Sequence, residues 1–68
     1  MNNKKFIIVK TLRVYKKIQE LQLPVTTNKK QKTFEFPYDV KNYQDQQNNK
    51  VRKLAIWAEL EGINWHIA

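Results

Sequence analysis

The apolar positions of this 68-residue chain fall into short runs with two different periods. Near the N-terminus Phe6, Ile8, Leu12 and Val14 share one side of an extended chain, interrupted by Lys10, while Lys5, Thr11 and Arg13 take the other. Period two predicts a strand from about Lys5 to Val14. Beyond Tyr15 the spacing changes. Val14, Ile18 and Leu21 fall at helical intervals and Pro24 stops the run, which predicts a short helix over Tyr15 to Leu23, with a second strand reaching Val25 as the alternative. Thr27-Asn28-Lys29-Lys30-Gln31 has the composition of a basic turn. Phe34, Phe36 and Tyr38 then alternate with Glu35 and Pro37, the pattern of an edge strand ended by its proline.

The C-terminal third admits two structures. Lys50 to Glu61 is rich in good helix formers, and Gly62 suits the residue just past a helix. On a helical wheel, however, Val51, Leu54 and Ala58 gather on one side while Ile56 and Leu60 point nearly opposite. Period two fits better: Leu54, Ile56, Ala58 and Leu60 alternate with Ala55, Trp57, Glu59 and Glu61. A hairpin turning at Glu61-Gly62 would then face Leu60 with Ile63, Ala58 with Trp65 and Ile56 with Ile67, and on its other side Glu59 with Asn64 and Trp57 with His66. The agreement of polarity across every pair favours the hairpin. The polar, nearly uncharged stretch at 42–49 reads as a loop, and residues 1–4 as a basic tail.

The expected fold is therefore mainly β or α+β: a small antiparallel sheet or SH3-like barrel with one short helix and a C-terminal β-hairpin. The alternative is β-α-β-α-β with a helix at 50–61 and Ile63–Ile67 as the last strand. That order, together with Phe36-Pro37-Tyr38-Asp39, resembles over one short stretch the small basic linker domains of phycobilisomes. The spacing to the following glycine is longer here and the glycine-rich ending of that family is missing, so the chain is not assigned to it.

Composition narrows the function more than it names it. A chain this short makes one domain, and with no Cys and a single His it has neither disulfides nor a thiolate or imidazole metal cluster to reinforce it. Its stability must come from the 41% hydrophobic residues or from a partner, so a homo-oligomer or a subunit of a larger complex is compatible with the sequence. No run approaches the roughly 18 apolar residues of a membrane span, and no secretory signal is present, which makes a cytoplasmic location the expectation.

Charge is distributed unevenly. Nine of the 13 Lys and Arg residues lie in the first 32 positions against Glu20 alone, a local charge of +8, whereas the remainder carries −1 within a total of +7. Such a half prefers a polyanion. Lys5, Arg13, Tyr15, Lys16, Lys17, Lys29, Lys30 and Lys32 are the candidate nucleic-acid-binding residues: cations for phosphates, and an aromatic ring on which an unpaired base stacks. With Lys far outnumbering Arg, binding should be backbone-driven and weakly sequence-specific, to DNA or RNA. Trp57 and His66, neighbours in the hairpin, form a candidate partner surface, and an acidic protein surface is the alternative ligand of the basic half. Catalytic chemistry has little to stand on. His66 has no acid spaced to orient it, Glu59 and Glu61 are simplest as solvated charges, and no phosphate loop, cofactor motif or metal-ligand spacing occurs, so a non-enzymatic protein without cofactor is expected.

Overall fold

The computed structural model describes residues 3–39, 41 and 45–68. Its elements run β1 (Asn3–Val9), α1 (Leu12–Glu20), β2 (Thr26–Asn28), β3 (Thr33–Asp39), α2 (Gln46–Glu61) and β4 (Trp65–Ile67). The strands form one antiparallel sheet in the order β2-β3-β1-β4. β1 and β2 are thus parallel with β3 between them, and β3 and β4 are parallel with β1 between them. These are two interleaved β-α-β units, the split β-α-β topology.

Both helices contribute to a core on one face of this sheet. Phe6 and Ile8 of β1 and Phe34 and Phe36 of β3 meet Val14 and Ile18 of α1 and Val51, Leu54 and Ala58 of α2, all buried. Trp65 and Ile67 of β4 pack against the same cluster, and the Trp65 indole stacks on Phe6 at 5.2 Å between ring centroids. The opposite face has no helix over it. Thr26, Glu35, Ile7 and His66 form one row across all four strands, with Asn28, Thr33 and Val9 in the next row.

Several sequence expectations need correction. The sheet is open, so no barrel forms. The first strand ends at Val9 rather than Val14 because Thr11 caps α1, its hydroxyl accepting from the Val14 amide at 3.2 Å. α1 then finishes in a left-handed residue, Gln22 (φ 58), that lets the Leu23 amide reach back to the Ile18 carbonyl at 3.1 Å and buries Leu23. The C-terminal hairpin is replaced by the helix held as its alternative. Gly62, at φ 69, sits just past α2 in the left-handed conformation, and the Ile63 amide returns to the Ala58 carbonyl at 2.9 Å. The residues that spoiled the helical wheel, Ile56 and Leu60, are simply exposed, at 63% and 80%. Of the polar stretch expected as a loop, Gln46 to Asn49 form the first turn of α2 behind the Asp45 cap, and 42–44 lie outside the described residues. Lys4, expected in a basic tail, is part of β1.

β3 is an inner strand, and Pro37 lies within it rather than ending it. The Lys5 amide and carbonyl both bond to Ala68, on the β4 side, at 2.8 and 2.9 Å. Lys5 is therefore opposite Pro37 in a pair without mutual hydrogen bonds, and the nitrogen of Pro37 points away from β1. On that side β2 pairs only as far as Glu35. The missing donor of Pro37 falls where the strand has no neighbour, as a proline in a sheet requires. Two residues on, the Asn48 side chain takes the place of a strand: its Oδ1 accepts from the Asp39 amide at 3.2 Å, and its Nδ2 donates to the Asp39 carbonyl at 2.5 Å. Asn48 is the one buried polar residue among those described, and this double contact satisfies both ends of its amide.

Candidate nucleic-acid interface

The basic residues of the first half separate into three places. At one end of the sheet the β2–β3 turn, the end of β1 and the start of α1 converge, with the Lys10 amide donating to the Lys32 carbonyl at 3.0 Å. Lys10, Lys29, Lys30 and Lys32 are all exposed there, and none is ion-paired to another described residue. The turn is shaped by Asn28, whose Oδ1 accepts from the amides of Lys30 and Gln31, both at 3.1 Å, and by Lys32 in the left-handed conformation (φ 55). Lys10 was not among the sequence-derived candidates. It looked like a flaw in an apolar strand face, and only the pairing of β1 with β3 brings it beside Lys32.

Next to these lysines is a cleft of about 370 Å³ lined by Lys10, Thr11, Leu12, Tyr15, Thr27 and Phe34. It arises because α1 does not reach over the short edge strand β2, leaving Thr27 exposed on the face where Phe34 is buried. Tyr15 is 38% exposed. Its ring lies tilted against Phe34 at 6.2 Å, and its hydroxyl accepts from Gln19 Nε2 at 2.9 Å. Lys16 is exposed one helical turn beyond Leu12, so it continues the same side of α1. α1 has no acid in its first turn, and none of the described cleft residues is a carboxylate. The charged side chain in the described lining of this cleft is the cation Lys10.

The second place is the seam between the helices. Arg13 pairs with Glu61, and the Lys17 ammonium stands 5.8 Å from the centre of the Trp57 ring. One turn forward along α1 matches one turn back along α2, which aligns the helices antiparallel. Lys17 also reaches Glu20 at 3.4 Å. These two cations already have partners, both of them on α2 and, for Lys17, also within α1.

The third place is the open face, where Lys5 approaches Glu35 at 3.4 Å. Asn28 Nδ2 donates to the same carboxylate at 2.8 Å. The Asn28 amide, and after it Lys5, hold the Glu35 carboxyl below its ordinary value against the desolvation that opposes them. Asn28 thus links Glu35 to the lysine-bearing turn.

Trp57 and His66 are not neighbours. Trp57 is half-buried against the core on α2, whereas His66 is exposed on the helix-free face opposite Ile7. Glu59 accepts from the Trp65 indole at 3.0 Å, and Glu61 pairs with Arg13, so neither stands as a free strand charge. Among the described residues no three His, Cys, Asp or Glu side chains gather to hold a metal ion, and no helix is long and apolar enough to cross a membrane. Comparison of the chain with protein-family models, with curated proteins and with solved structures finds no match, so its function has to be read from this geometry.

Proposed function

We propose that this is a non-enzymatic nucleic-acid-binding protein that grips the phosphate backbone with the lysine-rich end of its sheet. The observation that carries this reading is the group of Lys10, Lys29, Lys30 and Lys32 at one end of the sheet, exposed and without ion-pair partners among the described residues, with Lys10 lining a cleft that has no carboxylate in its described lining. Lysines in that state neutralise phosphates and release condensed counterions, which supplies affinity with little sequence preference. The helix-free sheet face is a poorer candidate. Recognition on such faces depends on several exposed aromatic rings, whereas the described positions here present His66 among Ile7, Val9, Thr33, Glu35 and Pro37, with Lys5 paired to Glu35. The acid–base candidates of the C-terminal region are separated, Glu59 engaged by Trp65, Glu61 by Arg13 and His66 on the other face of the sheet, which favours binding over catalysis.

Fluorescence anisotropy with labelled nucleic acid across a salt series tests this directly. Micromolar or tighter binding is expected, with log K falling linearly against log salt by a slope of about 3 for four phosphate contacts on a single strand. Absence of binding at low salt would remove the proposal. A second reading, an accessory subunit docked on a larger protein, draws support from Ile56 and Leu60, exposed together on the outer side of α2. It gains if nucleic acid fails to bind and Leu60→Glu releases the protein from its complex.

A further inference from the structure

We infer that the cleft beside the lysines is a pocket for one unpaired nucleobase, which makes the ligand a single strand. This rests on the nucleic-acid reading above and adds to it the class of strand. The cleft joins two features that a bare phosphate grip would not need. Its lining is apolar and aromatic, from Leu12, Tyr15 and Phe34, and it carries two hydroxyl-bearing residues, Thr11 and Thr27, at its sides. A flat, apolar-faced ring with polar edges matches that chemistry, and Lys10, also in the lining, supplies a cation for an adjoining phosphate.

Tyr15 is held as a platform. Its ring lies tilted against Phe34 and its hydroxyl accepts from Gln19, contacts that orient it before a base arrives. In a duplex both faces of every base are covered by its neighbours, so no ring could lie on Tyr15 without being extruded. An unpaired strand offers such a ring at no unpairing cost. Tyr15 is the one exposed aromatic ring in the cleft, so one base is read by contact and the flanking nucleotides are held through phosphate by Lys29, Lys30 and Lys32. The remaining nucleotides are then interchangeable, which agrees with weak sequence preference.

The test compares four labelled ligands of about eight nucleotides, within the span of small single-strand binders: oligouridylate, oligothymidylate, an abasic strand with the same phosphates, and a duplex. The full chain is measured as parent, Tyr15→Phe and Tyr15→Leu, each checked by thermal melting. Parent and Tyr15→Phe should bind a base-bearing strand roughly tenfold tighter than the abasic strand, and the duplex no tighter than the abasic strand. Tyr15→Leu should bind both base-bearing strands at the abasic affinity with an unchanged salt slope. The tighter of the two base-bearing strands separates RNA from DNA as the source of the base. Equal binding of base-bearing and abasic strands by the parent, or tighter binding of the duplex, overturns the inference while leaving the phosphate grip standing. No binding in any arm overturns both. If Tyr15→Leu does not fold, the parent's comparison of base-bearing with abasic strand decides alone.

Discussion

Each end of the sheet carries lysines beside a cleft, and the two clefts differ more in their charges than in their size. The larger, about 450 Å³, lies past the end of β2, where Lys4 and Lys5 are interleaved with Glu35, Asp39 and Asp45. Those acids already have work: Glu35 holds Lys5 and Asn28, Asp39 accepts from the Lys41 amide at 2.9 Å, and Asp45 caps α2 at 2.7 Å. The smaller cleft has one lysine, Lys10, and no acid among its described lining residues, and the exposed Lys29, Lys30 and Lys32 belong to the adjoining turn. Volume alone would choose the end where cations and acids are interleaved. What decides is whether the cations are already answered, since a lysine facing a carboxylate has little left to offer a phosphate.

The sharpest way to break this comparison is to strip each end in turn. Lys10, Lys29, Lys30 and Lys32 changed together to Ala should weaken nucleic-acid binding on the order of 100-fold at moderate salt and lower the salt slope by about 3. The matched change of Lys4, Lys5 and Lys41 to Ala should alter binding by no more than roughly twofold. Anisotropy titrations of the two variants side by side measure this, and equal losses would mean that net charge alone governs binding.

A smaller effect separates architecture from binding. Asn48→Ala removes both bonds to Asp39 and leaves a partly buried amide and carbonyl without them, costing about 2 kcal/mol of stability, or roughly 10 °C in Tm. Calorimetry and anisotropy on this variant should show a lower melting point with unchanged affinity below it. A loss of affinity in the folded variant would tie the two ends together.

The smallest effect is in pH. Glu35 has a folded-state pKa below 4.5, so its network contributes stability that is complete above the unfolded value and disappears as pH falls through the folded one. Between about pH 5 and pH 3 the parent should therefore lose Tm more steeply than Glu35→Gln. Parallel melting curves would mean that the Asn28–Glu35–Lys5 contacts add nothing to folding.

Half of this architecture was legible in the chain. Phe34, Phe36 and Tyr38 alternate because one face of β3 is core and the other is not, and Val14, Ile18 and Leu21 keep helical spacing because α1 buries a single stripe. α2 misled for a physical reason. Its outward side carries Ile56 and Leu60, and apolar residues on a solvated face erase the periodicity that identifies a helix. The intrinsic preference of Lys50 to Glu61 for helix, and Gly62 as its terminator, were the sounder signals. Of the candidate site, the excess of lysine was visible at once. Which lysines lie together was not, because Lys10 meets Lys32 only when β1 pairs with β3, and because Glu61 and Trp57, which engage Arg13 and Lys17, are 40 or more positions away in the chain.

The Asn48 contact and Pro37 also govern how copies of the molecule behave when crowded. A bare strand edge is a template on which a second sheet can grow. Here the free half of β3 offers an incoming chain the carbonyl of Pro37 and then a position at Asp39 already taken by an amide from within. The outermost strands, β2 and β4, are only three residues long and give too short a ladder to hold a neighbour. The described strand edges thus leave a second sheet little unbroken ladder on which to extend.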